Sequence, residues 1–383
     1  MPDVLIYGDT LRSPALRHEL PLAIGDPFLY LERDGRRVAL TNVLEADRLA
    51  AAAPQVERLL SEELGRRELI RSGMPRHEVD LEVTARAVER VGVRSALVPA
   101  DFPLAVADDL RRRGIELTVD HVGFDARRRR KSGAELEGIR RATAAGLAAL
   151  GEAARVLRES RPRDGVLHAD GDVLTSERLR ARLAEVCGRM GATLPNDVIV
   201  APMGPGDAVG HEAGSGPLKA DTPICFDLWP QDDASGCWTD MTRTYVVGEV
   251  TDAIGALHGL VREAHERALA RLAPGAAAHE GYDAACDVFE AAGHPTQRTA
   301  PEGEPLTHGF FFSLGHGVGL EVHEAPLLGL QVDDELVAGD VLAVEPGVVV
   351  PGLGGMRIED LVLVREDGAL ENLTAGAPDT LRP

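Results

Sequence analysis

From residue 133 to the C-terminus one plan is written twice. Helical periodicity near 133–159 and 175–190 is followed by the strand-like runs DVIVAP, ICFDLW and WTDMTRTYVV. Helical periodicity near 252–272 and 280–292 is then followed by FFFSLG, DVLAVEPGVVV and GMRIEDLVLV. A helix pair followed by antiparallel strands, repeated, predicts an α+β domain with pseudo-two-fold organisation. Its start is marked by SGAE, where Ser132 stands three residues before Glu135 as a capping box for the first long helix. The expected boundary therefore falls near residue 131, giving domains at 1–130 and 131–383.

The N-terminal third reads as an α/β unit. FLYLE and RRVALTN flank Asp34-Gly35, a hairpin signal, and SALVPA, LAVADDLRRRG and IELTVD follow as strand, helix and strand. The run RRRRK, Arg127 to Lys131, reads as a solvated linker. With 383 residues and 44% hydrophobic content, two cores are feasible. The net charge of −21 argues against nucleic-acid binding, which needs a basic surface. No apolar run reaches a membrane span, and the N-terminus has no basic stretch leading into an apolar one. The four cysteines form no CxxC pair. A cytoplasmic protein with free thiols, and neither a membrane nor a nucleic acid as partner, is the expectation.

The chemistry is carried by acids in unfavourable places. FDLWPQDDASGCWTDMTRTYVVG holds four aspartates. Asp232 and Asp233 fall in turn chemistry and need no further explanation. Asp227 and Asp240 fall on strands, where a buried carboxylate needs a partner. Alternation puts Cys225, Asp227 and Trp229 on one face, and Asp240, Thr242 and Thr244 together likewise. In the second repeat, GHGVGLEVHEAP supplies His316 and His323 among glycines, and Glu345 and Glu359 interrupt apolar strands. Each alone reads as a salt-bridged polar residue. Together, buried like charges require compensation, and a pair of divalent cations would provide it. Four carboxylates with one imidazole, mostly oxygen with one nitrogen, suit Mn²⁺, Co²⁺, Fe²⁺ or Zn²⁺.

These pieces resemble the metallopeptidase family of methionine aminopeptidase, aminopeptidase P, prolidase and creatinase, with its pita-bread fold. The resemblance is carried by Asp227, DMTRT, GHGVGLEVHE, VEPG and RIED. It implies a pita-bread (creatinase/aminopeptidase) catalytic domain behind a smaller creatinase-type α/β domain, which is the arrangement of the prolidase and aminopeptidase P branch. It implies two divalent metal ions, with Mn²⁺ first and Co²⁺, Zn²⁺ or Fe²⁺ as alternatives, held by Asp227, Asp240, His316, Glu345 and Glu359. His211 and His323 then handle the substrate or its protons, Glu345 shuttles the proton, and Arg357 binds a substrate carboxylate, orients a ligand, or pairs with a nearby acid. The implied reaction is Xaa-Pro peptide hydrolysis by a hydroxide bridging the metals. The alternatives are hydrolysis of a small-molecule C–N amide bond on the same scaffold, or a catalytically silent binding homologue. A small peptide is the implied substrate and a homodimer the implied assembly. Two features depart from the family pattern. Asp227 and Asp240 stand 13 apart, two more than is usual, an even insertion that keeps strand parity. Phe312 occupies a position where the Xaa-Pro branch often has histidine.

Overall fold

Asp34 and Gly35 both take positive φ, 50° and 77°, the geometry of a two-residue hairpin turn whose twist matches its strands. That hairpin joins Phe28–Arg33 to Arg36–Thr41 within a computed structural model that describes residues 2–207 and 210–383. The chain divides into two units, Met1–Arg128 and Arg129–Pro383.

The first unit is built on a six-stranded sheet, in which Asp3–Gly8 is central between Phe28–Arg33 and Ser95–Val98. Only the 28–33 strand runs against its neighbours. Both sheet faces are covered. Leu5, Leu29, Leu31 and Val38 pack with Val79, Val83 and Val88 of the helix Arg76–Val91. Val4, Ile6, Tyr30 and Ala39 pack with Leu16, Leu49 and Phe124 on the other side. Neighbouring strand residues are thus buried on opposite faces, as a mostly parallel sheet requires.

The arginine run falls at the junction of the two units, but most of it is not solvated. Arg127, Arg128 and Arg129 close the helix His121–Arg129. Arg127 donates to Glu19 and Glu32 at 2.8 Å within the first unit. Arg129 pairs with the buried Asp340, and Lys131 forms a buried ion pair with Glu324, both within the second unit. Acids distant in sequence neutralise charges that a composition-based reading leaves to solvent.

In the second unit the capping box forms as read. The Ser132 hydroxyl accepts from the Glu135 amide at 3.2 Å, the Glu135 carboxylate accepts from the Ser132 amide at 2.6 Å, and the helix runs Gly133–Glu159. It shares a core with Ser176–Arg189 and with the strands Ile199–Pro202, Ile224–Leu228 and Met241–Tyr245. The helices Asp252–Leu269 and Ala278–Ala291 share a second core with a five-stranded sheet that includes Gly315–Gly317, Val341–Val344 and Asp360–Val364. A hairpin of Gly347–Val350 and Gly354–Arg357 completes that half. Each half therefore has its own helix pair, sheet and core.

Three local expectations change. FFFSLG is not a strand: Phe310 makes one isolated bridge, and the strand begins at Gly315. Phe310 lies instead among Tyr282, Phe289 and Phe312, with ring centroids 5.1–5.3 Å away. Asp240, Glu345 and Glu359 are not inside strands; Asp240 lies just before Met241–Tyr245, Glu345 just after Val344 and Glu359 just before Asp360. Asp232 is not a wet turn residue. It is 3% exposed and accepts both arms of Arg141 at 2.9 and 2.8 Å, plus the Ser235 amide. Among the described residues no helix is long and apolar enough to cross a membrane.

Candidate metal centre

The antiparallel register of the 224–228 and 241–245 strands pairs Asp227 with Thr242 and Cys225 with Thr244. Directly paired residues share a face, whereas Asp240 stands just outside the strand, one residue before Met241, near enough to Asp227 to feel its charge. The second half enters through a single bridge between Thr242 and Glu359, in which the Glu359 amide donates to the Thr242 carbonyl at 3.0 Å. The Thr242 hydroxyl then donates to the Glu359 carboxylate at 2.8 Å. His316 arrives on the short strand Gly315–Gly317. Side chains cannot flank it, because a Cβ at 315 would lie 1.9 Å from the Ala343 carbonyl oxygen and one at 317 would lie 2.3 Å from that of Ala325.

Asp240, His316 and Glu359 converge, each offering a ligand atom within 4.8 Å of the others. Asp227 and Glu345 flank this trio. Glu345 Oε1 is 3.5 Å from His316 Nε2, and Asp227 Oδ2 is bound by Arg357 Nη2. Arg357 is buried and also donates to the Gly210 carbonyl at 3.0 Å and, from Nε, to the Thr242 hydroxyl at 3.4 Å. Its Nε stands 4.0 Å from Glu345. Thr244 supports Arg357 from beneath, its hydroxyl donating to the Arg357 carbonyl at 2.8 Å. His323 is exposed and lies edge-on to His316, with centroids 4.3 Å apart. His211 is exposed, adjacent to the Gly210 that Arg357 holds, and makes no hydrogen bond or ion pair with other described residues. Residues 208 and 209, just before it, are outside the described set.

The charges here do not balance. Burial, then the charges of Glu359, Asp227 and Glu345, push Asp240 well above the usual carboxylate range against the pull of Arg357. Burial, then Asp227 and Glu345, do the same to Glu359. Glu345 is pushed up to about 8 by burial, with Arg357 opposing and Asp227 adding to the rise. Burial disfavours the charge on Arg357, but the surrounding acids raise its pKa. His316 falls to about 4, mainly by burial and then by His323. A neutral His316 donates from Nδ1 to the Gly317 carbonyl at 3.1 Å. Its Nε2 lone pair is thereby aimed at Asp240 and Glu345. A lone pair facing an ionised carboxylate is repulsive, so either a proton on the acid or a cation between them is needed. Asp240 Oδ1 and Glu359 Oε1 are moreover buried without a hydrogen-bond partner among the described residues. Orphaned acceptors and an imidazole oriented by a carbonyl are what metal ligands look like before the ion is counted. The donor set fits divalent ions.

Two features behind the site escape a motif-based reading. Arg243, on the opposite face from Thr242 and Thr244, is buried against Asp360 at 2.6 Å. The Lys131–Glu324 pair ties the start of the long helix to the residue after His323. A signal for the first existed: an arginine in the middle of a strand, one residue out of phase with the site, needs an acid as buried as itself.

Residues 137–366, more than half of the chain, match the family model of metallopeptidase family M24. The Xaa-Pro dipeptidase of Pyrococcus furiosus is 39% identical over 131 residues, 34% of this chain and 34% of that protein. The probable dipeptidase PepE of Mycobacterium bovis is 34% identical over 214 residues, 51% of this chain and 53% of that one. The chain thus spans about a third to a half of the length of these curated relatives. The solved structure of the Xaa-Pro dipeptidase from Bacillus anthracis, 22% identical, superposes with a TM-score of 0.75 over 99% of this chain and 94% of that one. The fold is accordingly the pita-bread fold preceded by a smaller domain, and the chain belongs to metallopeptidase family M24.

Proposed function

We propose that this protein is a metal-dependent peptidase of the Xaa-Pro type, acting on short peptides. The observation that carries the reading is the convergence of Asp240, His316 and Glu359 with two buried carboxylate oxygens left without partners. Asp227 and Glu345 complete a five-residue set for two divalent ions, with Mn²⁺ as first choice and Co²⁺, Zn²⁺ or Fe²⁺ as alternatives. Ions held there would supply Lewis acidity towards an amide carbonyl and bring the pKa of water towards neutrality.

The chain's own residues do the rest. Glu345 is half-buried beside His316 and Arg357, and its carboxylate takes a proton from the attacking water and passes it to the leaving nitrogen. The exposed His323 donates an imidazole N–H to the substrate carbonyl oxygen as it gains charge. His211 stands on the segment held by Arg357 and contacts the substrate from that side. Arg357, engaged with Asp227, orients that ligand. A cytoplasmic location agrees with four free, buried cysteines, and a homodimer follows from the family resemblance.

A second reading, preference for a residue other than proline, is favoured by Phe312. Its ring approaches Gly347, where a Cβ would lie 2.9 Å from Cζ and 3.3 Å from Arg357 Cβ. An apolar wall there replaces a hydrogen-bonding histidine. Loading purified protein with Mn²⁺, Co²⁺, Zn²⁺ or Fe²⁺ and assaying Xaa-Pro against Xaa-Ala dipeptides separates the readings. Hydrolysis of neither, with metal bound, points to a different amide; no metal bound under any loading removes the peptidase reading.

A further inference from the structure

We propose that Arg243 is a positioning residue for the metal centre, setting the backbone that delivers Glu359. The side chain is 3% exposed. Its Nη1 donates to the Glu359 carbonyl at 2.6 Å and to the Thr242 carbonyl at 2.8 Å. Its Nη2 donates to Asp360 Oδ1 at 2.6 Å and to the Ala377 carbonyl at 2.8 Å, and Nε reaches Ala377 at 3.3 Å. One guanidinium thus gathers three carbonyls and a carboxylate from the first repeat, the second repeat and the C-terminal segment. Only the planar five-donor fork of arginine can do this.

The two residues whose carbonyls Nη1 holds are the two whose side chains meet in the centre, through the Thr242 hydroxyl and the Glu359 carboxylate. Glu359 sits at a break between the strands Gly354–Arg357 and Asp360–Val364, where regular pairing does not fix it. Its amide is fixed by Thr242 and its carbonyl by Arg243. Asp360 anchors the guanidinium in turn, held by Asn372 Nδ2 at 2.7 Å and the Thr374 hydroxyl at 3.0 Å. Arg243 acts through Glu359 and touches no ligand atom of the trio.

The inference rests on reading Asp240, His316 and Glu359 as ligands. The test is calorimetric titration of Mn²⁺ into metal-stripped full-length protein, alongside its thermal melt. Arg243→Lys keeps a cation for Asp360 but cannot span all four acceptors, and its Mn²⁺ affinity falls about 10- to 100-fold, the usual effect of losing support behind a metal ligand. Asp360→Asn keeps the bonds to Glu359 and Thr242; it lowers the melting temperature while holding Mn²⁺ affinity within about 3-fold of wild type. Should Arg243→Lys not fold, the double variant Arg243→Gln/Asp360→Asn leaves no unpaired buried charge and is read in the same way. Wild-type affinity in Arg243→Lys, or equal affinity loss in both single variants, overturns the positioning role alone. A wild-type protein that binds no Mn²⁺ overturns the ligand reading and this proposal with it.

Discussion

Two faces of the same strands, one residue out of phase, handle buried charge in opposite ways. On the front, among the described residues, Asp240 and Glu359 keep carboxylate oxygens with no partner and Arg357 is the one cation set against four acids. On the back, Arg243, Asn372 and Thr374 hydrogen-bond Asp360, with the buried His265 Nε2 3.8 Å away and without a hydrogen-bond partner among the described residues, and the Asp360 pKa is lowered: burial opposes the charge, but Arg243, His265 and Asn372 outweigh it. Both faces are buried and both are rich in charge. The back-face carboxylate is balanced by protein groups, whereas the front-face carboxylates are left unbalanced, an arrangement that fits a cation from outside the chain. Burial of an ionisable residue is therefore a weak guide to function by itself; the state of its account with its neighbours is the guide.

The largest test of that contrast is Glu359→Gln. It removes a front-face charge, and kcat/KM should fall about 10³-fold or more, about 4 kcal/mol of transition-state stabilisation. Elemental analysis should show metal lost alongside. Metal content and activity both at wild-type level would erase the distinction between the faces. Next comes Asp360→Asn on the back, expected to cost about 3 kcal/mol by stranding the Arg243 charge. Denaturant unfolding measures it, and the metal stoichiometry should stay at the wild-type value.

The pH dependence sharpens the contrast further. Glu345 is raised to about 8 in the fold, against about 4.3 in an unfolded chain. A carboxyl raised in this way favours the folded state while protonated, below the unfolded pKa. That contribution is lost as pH rises towards 8. A metal competes with the same protons, so the rise in melting temperature on adding Mn²⁺ should grow between pH 6 and pH 8. The back face works the other way. The Asp360 pKa is lowered, so its contribution is present above the unfolded pKa of about 3.9 and fades only as the medium is acidified below that. A metal-induced shift that is flat with pH would contradict the front-face imbalance. The smallest effect expected is in Phe312→His, which should change the ratio of kcat/KM for Xaa-Pro over Xaa-Ala by about 10-fold, about 1.4 kcal/mol, with metal content unchanged.

Much of the front face was legible beforehand. Asp227 and Asp240 stood out because strands reject lone carboxylates, and His316 because glycines on both sides announce close backbone approach. The structure supplies the approach, from the carbonyls of Ala343 and Ala325. What misled was the identity of partners far away in sequence. Asp232 carries the same turn chemistry as Asp233, yet Arg141, 91 residues earlier, makes it a buried anchor. The arginines 127–129 read as solvated because a run of like charges usually is, while Glu19, Glu32 and Asp340 supply opposite charge from elsewhere in the chain. Phe310–Phe312 have strand-like composition but pack as an aromatic cluster, since rings satisfied by Tyr282 and Phe289 need no ladder. His211 sat near a plausible motif position, and its exposure is a property of the loop rather than of the motif.

By itself the sequence determined what short-range forces settle: the capping box at Ser132, the positive-φ turn at Asp34-Gly35, the alternation that groups Cys225 with Asp227 and Thr242 with Thr244, and the repeated helix-pair-then-strands plan. Only the tertiary structure decided which buried acid meets an arginine and which keeps a carboxylate oxygen without a partner among the described residues. Asp360 and Glu359 are neighbours in the chain and indistinguishable in composition, yet one faces Arg243 and the other faces Asp240 and His316. Their difference lies in desolvation and Coulomb terms between groups more than a hundred residues apart, and those exist only once the two repeats are packed together.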